Sequence, residues 1–254
     1  MNKLAYFSIV GLLISSVYSC SPVVYSTTGQ VVPLFREQGE ATVSGGFSTA
    51  EDAQGFHVQA AGSVSDHFAL LTSVYAMSND NSSSDNWTGK GTYFEVGGGH
   101  FGSFGSNNTF IYETFAGVGF GGIRNSYQDQ KLDVNFIKPF IQPSIGISQK
   151  WVDIALTPRF GLVSYTDHSI QTNDASYRTA AENYFNDQGT TFVFEPGMTV
   201  RAGYKNFKLQ LQFNVSTFSY HAENANSNSN PSINNTYLGL GLHYLISKRY
   251  RDSD

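Results

Sequence analysis

Cysteine is almost absent from this chain, which contains one, Cys20, among 254 residues. A single thiol cannot form an internal disulfide, so the fold has to be stabilised by backbone pairing and side-chain packing. Charged residues are also scarce, at 14% of the chain, and the net charge is −5. The one concentrated basic stretch is Lys-Arg-Tyr-Arg at residues 248–251. Nucleic acid is therefore not a predicted partner.

Beyond its first twenty residues, the chain lacks any unbroken apolar run of the roughly 20 residues that a membrane helix requires. It is instead rich in glycine (25 residues), phenylalanine (20) and tyrosine (15). This composition favours strands and turns over a helical enzyme, and no helix is predicted. The six histidines show no metal-ligand spacing, and no glycine-rich phosphate motif opens a helix. No metal and no cofactor are predicted.

The N-terminus has the form of a secretory signal peptide over residues 1–19. Lys3 gives the positive start, and residues 4–19 form an apolar stretch that is too short to span a membrane. Residues 17–20, Val-Tyr-Ser-Cys, resemble the lipobox of Gram-negative lipoproteins, although Tyr18 is bulkier than the usual residue. The resemblance implies acylation of Cys20 and cleavage before it. The alternative is an ordinary signal peptide followed by an incidental cysteine.

Alternation of apolar and polar residues with period two dominates from residue 40 onward. Residues 207–215, Phe-Lys-Leu-Gln-Leu-Gln-Phe-Asn-Val, place apolar side chains on one face of a strand and polar side chains on the other. Such segments predict about ten strands, over residues 40–49, 54–65, 67–78, 91–102, 109–122, 134–148, 151–165, 190–203, 206–219 and 236–247.

Strand length and connection length both indicate a membrane barrel. Most of the predicted strands reach the length of a tilted strand that crosses a bilayer, whereas a soluble strand has about five or six residues. Short turns alternate with long polar connections, as in outer-membrane barrels, where the short turns are periplasmic. The long connections are predicted over 79–90, 124–133, 166–189 and 221–235. The predicted fold class is all-β, a closed antiparallel transmembrane β-barrel of about ten strands.

Residues 66–70, 140–147 and 238–246 resemble segments of small outer-membrane β-barrel proteins of Gram-negative bacteria. The last of these is similar to the final-strand signal of such barrels, although residues 247–254 follow it. Together these features divide the chain into a lipoprotein-type signal peptide (1–19), a periplasmic tether (20–39), the barrel (40–247) and a periplasmic tail (248–254). The lipid on Cys20 is then expected in the periplasmic leaflet, with the long loops extracellular.

A soluble lipocalin-like barrel or β-sandwich is the alternative fold, in which the apolar rows would face inward. Four prolines lie within predicted strands on the apolar rows, where each removes a donor from the strand ladder. We expect them at bulges or near the ends of the barrel. They are Pro139, Pro143, Pro158 and Pro196.

The polar rows carry charged residues that are expected to face the lumen. An Arg or Lys facing lipid at mid-depth would cost about 2–4 kcal/mol. A barrel of about ten strands has room for little beyond its own side chains, so these residues are predicted to form an interior network of paired charges. The alternative is a narrow pore or a ligand cavity lined by the same side chains. The candidate residues are Glu95, Glu113, Lys138, Asp153, Arg159, Glu195, Arg201 and Lys208.

A surface hydrolase is a weaker alternative. Asp167, His168 and Ser169 are the residue types of a nucleophilic triad, but successive strand residues point to opposite faces and cannot form a hydrogen-bonded line. The histidines available near the long-loop end are His57, His168 and His221. No catalytic residue is assigned on these patterns.

The sequence therefore predicts a non-enzymatic outer-membrane barrel lipoprotein that is a structural or accessory component of a cell-envelope assembly. Its expected partners are outer-membrane lipid and other envelope proteins. The alternative function is a narrow pore or transporter for a small solute or lipid.

Overall fold

The structure is a computed structural model that describes residues 22–51, 53–79, 87–219 and 231–250. Ten long antiparallel strands form a closed barrel, which confirms the predicted fold class. The predicted signal peptide and Cys20 lie outside the described residues. The barrel strands are β2 (Ala41–Ala50), β3 (Ala53–Ser63), β4 (Phe68–Asn79), β5 (Thr88–Phe104), β6 (Phe110–Tyr127), β7 (Gln130–Ser148), β8 (Val152–Gln171), β9 (Thr190–Tyr204), β10 (Phe207–Val215) and β13 (Thr236–Ile246).

Three short strands and two helical segments complete the described part of the chain. Strand β11 (Thr217–Phe218) continues β10 after Ser216 and pairs with β9. Strands β1 (Val23–Ser26) and β12 (Ser232–Asn234) form a separate parallel pair. A 3-10 turn (Ser106–Asn108) joins β5 to β6, and helix α1 (Ala175–Gln188) lies between β8 and β9.

The wall closes through the pairing of its first and last strands. From β2 to β10 each long strand pairs with the next one along the chain, and β10 then pairs with β13. Strand β13 pairs in turn with β2, with Leu242 opposite Gly45 and Ile246 opposite Ala41. Closure gives each of the ten long strands a paired neighbour on both sides, which is the condition for a sheet to sit in hydrocarbon.

The two faces of the wall have opposite character. On β10, Leu209 and Phe213 expose 58% and 44% of their surfaces on the outside, whereas Lys208 and Gln212 are buried inside at 2% and 1%. A soluble lipocalin-like barrel requires the reverse, so that alternative is wrong. An apolar exterior around a polar interior is the arrangement that fits the outer membrane.

One long predicted loop is a tall hairpin instead. Strands β6 and β7 extend to Tyr127 and from Gln130, so the connection predicted over 124–133 is wrong and only residues 128–129 form a turn. The outward-facing residues here, such as Arg124, are polar and exposed. The wall therefore continues beyond its apolar band. In this upper part the outward-facing residues are polar, so the alternation of apolar and polar residues is lost.

The sequence prediction that the chain has no helix is also wrong. Helix α1 starts where the Asp174 carboxylate accepts hydrogen bonds from the backbone N–H groups of Ser176 and Tyr177, at 2.9 and 3.2 Å. It ends at Gly189, whose φ of 43° favours glycine. Its buried residues, Ala181 and Phe185, are four positions apart and share one face. Within the described part of the chain, no helix is long and apolar enough to cross a membrane.

The four strand prolines lie on the outer face, within strands rather than at their ends. Pro158 of β8 faces Pro196 of β9 across the ladder. The pairing of β7 with β8 is interrupted around Pro139 and again around Pro143, because neither residue has an N–H to donate. The bulge between these two strands lies elsewhere, between Asn135 and Phe136.

Within the predicted periplasmic tether (20–39), residues 24–35 are buried rather than free in solvent. Every residue from Val24 to Phe35 is buried, although only β1 within this stretch is regular structure. These residues lie inside the barrel. The sequence did not predict this position, because the segment has neither the two-residue period of a strand nor the period of a helix. We call residues 22–36 the plug.

Candidate functional site: the filled lumen

The plug runs the whole height of the lumen. At one end, Asn125 binds Val23, donating to its carbonyl at 2.8 Å and accepting from its N–H at 3.1 Å. Asn125 lies beside the 128–129 turn, at the long-loop end of the wall. At the other end, the N–H of Arg36 donates to Glu40, which directly precedes β2 at the short-turn end. The chain therefore descends through the barrel before its first wall strand begins.

Wall side chains bind the backbone carbonyls of the plug one after another. Descending the lumen, donors bind Thr28, Gly29, Gln30, Val31 and Val32, with donor–acceptor distances of 2.5–2.8 Å. These donors are, in the same order, Asn214, Tyr75, Gln212, Gln142 and Arg201. A buried irregular segment needs such partners because its peptide groups are not paired in a strand ladder.

Gly29 lies where the plug passes closest to the wall. A Cβ at this position would lie 2.6 Å from Oε1 of Gln212 and 2.8 Å from the hydroxyls of both Tyr75 and Tyr237. These distances are too short for a side chain. Glycine therefore lets the backbone approach the wall closely at this level.

A bidentate ion pair lies inside the lumen, beside the level at which Gln142 binds the plug. The Arg159 guanidinium donates to both oxygens of Glu95, at 3.0 and 3.2 Å, and to Oε1 of Gln142. Both charged side chains are fully buried. The pair is charge-assisted and fork-shaped, so it fixes β8 against β5 across the interior.

A second ion pair connects the wall to the plug. Lys138 donates to Glu195 at 3.0 Å and to the Tyr25 hydroxyl at 2.8 Å. The Tyr25 hydroxyl donates to the other oxygen of Glu195 at 2.6 Å. Tyr25 belongs to β1, so this triad makes the plug part of the interior charge network. The Lys138 ammonium also lies 5.0 Å from the centre of the Tyr93 ring.

The part of the lumen nearest the short turns also contains basic and acidic side chains in equal number. Lys208 donates to Asp153 at 2.6 Å, and Arg201 lies 3.8 Å from the second oxygen of this carboxylate. Arg201 also donates to Gln210 at 2.7 Å. Glu113 accepts the backbone N–H of Phe35 at 2.9 Å, so a wall carboxylate binds the plug here.

A further ion pair closes the short-turn end. Arg249 donates to both oxygens of Glu40, at 2.9 and 2.6 Å, and to the Leu34 carbonyl at 3.1 Å. The start of the predicted periplasmic tail is therefore folded against the base of the plug. Residues 251–254 lie outside the described part of the chain.

The long-loop end is covered by apolar packing. Phe185 of α1 is buried in one cluster with Val24 of the plug and with Leu132 and Val134 of β7. His168 stacks on the Phe185 ring, with ring centres 4.5 Å apart. Helix α1 thus lies across the mouth of the barrel, above the plug.

All eight predicted lumen residues lie inside the barrel and are buried. Four are acidic and four are basic, so their charges cancel. The lumen residues that the sequence did not predict are those of the plug. One signal was available, since residues 21–35 contain no charged residue, which is unusual for a tether in water.

The predicted rim histidines are not brought together. His57 is buried in the lumen, where its Nδ1 lies 3.0 Å from the Tyr237 hydroxyl. His221 lies outside the described residues. Asp167 and Ser169 face an outer groove, whereas His168 stacks over the mouth. Across the described ranges, no group of three or more His, Cys, Asp and Glu side chains is arranged to hold a metal ion.

The outer groove lies on the tall part of the wall. It has a volume of about 450 Å³ and spans β5 to β8. Both charge signs are present, with Lys90 and Arg124 beside Asp133 and Asp167. It lies beyond the apolar band, at the height of the tall hairpin.

Comparison with known proteins adds little to this geometry. No protein-family model matches the chain, and no curated protein matches it. One solved structure, described as a bacterial polysaccharide outer membrane secretin, matches with 10% identity and a TM-score of 0.23. The match covers 84% of this chain and 100% of that chain. A TM-score this low does not establish a shared fold, so the barrel is established by its own strand pairing.

Proposed function

We propose that this protein is a non-enzymatic, lipid-anchored barrel of the outer membrane that serves as a structural or accessory component of an envelope assembly. The observation that supports this proposal best is the filled lumen. The plug occupies the interior from end to end, and wall side chains bind its backbone at successive levels. A barrel closed in this way presents its outer surface to partners rather than a path to solutes.

Release of the plug from the wall is expected to cost several kcal/mol, because many buried hydrogen bonds would break together. Each buried hydrogen bond between the wall and a plug carbonyl would leave an unsatisfied group on release, at a cost of about 1–3 kcal/mol. Several such bonds and the contact of Tyr25 with the Lys138–Glu195 pair would break together. A narrow pore or transporter remains the alternative, and it requires this release to occur.

Conductance in planar lipid bilayers tests the closed lumen. We expect the wild-type barrel to show no stepwise conductance and a variant that lacks residues 22–35 to conduct. Gly62→Val is the control for a change in the wall that leaves the plug in place. An added side chain at this position meets open space, so we expect this variant to show no stepwise conductance. Stepwise conductance of the wild-type protein would favour the pore alternative.

The outer groove is the surface that we expect an envelope protein to contact. Its mixed charges lie above the apolar band, where a neighbouring protein can reach them. Arg124→Glu is expected to abolish co-purification of a cross-linked partner from detergent-solubilised outer membrane. Lys131→Glu makes the same charge change on an exposed residue of the same hairpin, outside the groove, and serves as the control. Equal recovery of the partner with both variants would place the contact elsewhere.

A further inference from the structure

We infer that the chain preceding Pro22 emerges at the long-loop end of the barrel, so that acyl chains on Cys20 are held in the outer leaflet rather than in the periplasmic leaflet. The acyl part of this inference rests on the proposed function, whereas the path of the plug does not. It replaces the expectation that signal, tether and short turns all lie on one side.

The direction of the plug is fixed by contacts at its two ends. The Pro22 carbonyl accepts a hydrogen bond from the N–H of Ser232 at 2.8 Å. Ser232 begins β12, within the long connection between β11 and β13. The opposite end of the plug leads into Glu40, which is bound by Arg249 at the short-turn end. The order of the contacts with β10 agrees, since Asn214 binds Thr28 nearer the long-loop end.

The length of the plug matches a full crossing of the membrane. From residue 22 to residue 36 there are fourteen chain steps, which span at most about 46–50 Å when extended. The hydrocarbon core of a bilayer is about 30 Å thick. The plug is therefore long enough to take the chain from one leaflet to the other inside the barrel.

Chain connectivity then limits where the lipid can be. Cys20 precedes Pro22 by two residues, so their Cα atoms are at most about 7 Å apart. A return to the periplasmic leaflet would require a further span of about 30 Å, which two residues cannot supply. A lipid on Cys20 is thus confined to the side of the membrane where the long loops lie.

This topology also constrains assembly. The ten wall strands close through the β13–β2 pairing, and the plug is enclosed by that closure. The N-terminal residues must therefore be in place before β13 pairs with β2, or be threaded through the lumen afterwards. Threading after closure would have to draw the N-terminal chain through a lumen lined by the buried charged side chains of the wall, so we expect the plug to be enclosed as the wall forms.

Thiol labelling on whole cells tests the inference, because Cys20 is the only native cysteine. Three variants are labelled with a membrane-impermeant maleimide, before and after the outer membrane is permeabilised. Ser21→Cys reports the N-terminus, Asn183→Cys reports the exposed face of α1 at the long-loop end, and Asp66→Cys reports a short turn. We expect Ser21→Cys to label with Asn183→Cys, at least tenfold more than Asp66→Cys on intact cells.

Other outcomes separate the inference from the function on which it rests. Labelling of Ser21→Cys only after permeabilisation, together with Asp66→Cys, would overturn the threaded path. Reaction of wild-type Cys20 itself would show that it carries no lipid and would overturn the acyl part alone. An epitope inserted between Ser21 and Pro22 gives a second readout where the thiol is shielded. Antibody binding on intact cells supports the inference, and binding only after permeabilisation contradicts it.

Discussion

The barrel wall and the plug inside it satisfy their backbone hydrogen bonds in different ways. In the wall, each strand pairs with two neighbours, and a side chain can change without loss of the ladder. In the plug, the peptide carbonyls depend on individual side chains such as Gln142, Gln212 and Arg201. The wall is therefore robust to most single substitutions, whereas the plug depends on the exact residues that surround it.

The inner and outer faces of the wall also differ from each other. Inside, charge is tolerated only because it is paired, as in Glu95 with Arg159. Outside, charge is excluded from the apolar band and returns on the tall hairpin beyond it. Four substitutions probe this comparison, from the inner face of the wall to the helix at its mouth.

The largest effect is expected from Glu95→Gln on the inner face of the wall. The change leaves the Arg159 guanidinium buried without its anionic partner, which costs about 3–5 kcal/mol of the free energy of unfolding. Denaturant titration in lipid vesicles, followed by the fluorescence of Trp87 and Trp151, measures it. Lys90→Gln, on the exposed side of the same strand, is expected to change stability by about 0.5 kcal/mol or less. A similar small effect for both variants would contradict the importance of the ion pair.

A smaller loss is expected on the outer face from Leu211→Arg. Leu211 lies in mid-strand and is 42% exposed, so the new charge meets hydrocarbon and costs about 2–4 kcal/mol. The free energy of unfolding in vesicles is the measurement. Leu211→Met keeps the site apolar and is expected to fold as the wild type does. Stability of the arginine variant equal to that of the methionine variant would show that this face does not contact lipid.

Gly29→Val is expected to separate the plug from the wall. The added side chain would collide with Gln212 and Tyr75, an overpacking that costs about 1–3 kcal/mol. Because the wall ladder is untouched, we expect heat-modifiable gel mobility to persist while stepwise conductance appears in bilayers. Loss of heat-modifiable mobility, with no stepwise conductance, would show that the wall cannot close without the plug.

The smallest effect concerns the N-terminus of α1 and its dependence on pH. Hydrogen bonds from the Ser176 hydroxyl, and then from the backbone of Tyr177 and Ser176, lower the pKa of Asp174 below its ordinary value. A lowered pKa in the folded state means that this stabilisation is present above about pH 4 and is lost as the pH falls through the folded-state pKa. The amide NMR shifts of residues 176 and 177 in micelles should report fraying at low pH.

Asp174→Asn keeps a capping oxygen without a titrating group, so these shifts should no longer depend on pH. Asp174→Ala removes the cap, and the helix end should be frayed at every pH. A wild-type response that persists in the asparagine variant would assign the titration to another group.

The ten wall strands were predictable because a strand with one face in hydrocarbon has to alternate. The pattern of residues 207–215 predicts β10 with its outward and inward faces assigned correctly. The upper part of the β6–β7 hairpin was not predictable in this way. Beyond the apolar band its outer row is polar, so residues such as Arg124 and Asp133 have the composition of a loop although they continue the ladder.

By itself, the sequence determined the closed ten-stranded barrel, the direction of each face and the set of charges inside, because a two-residue period and the cost of charge in lipid leave few alternatives. Only the tertiary structure decided which charges pair, that α1 lies across the mouth, and that residues 22–36 fill the lumen. The plug has no periodic pattern, and several of its hydrogen bonds to the wall, such as those from Gln142 and Arg201, join residues more than a hundred positions apart. Contacts of that kind exist only once the wall has closed.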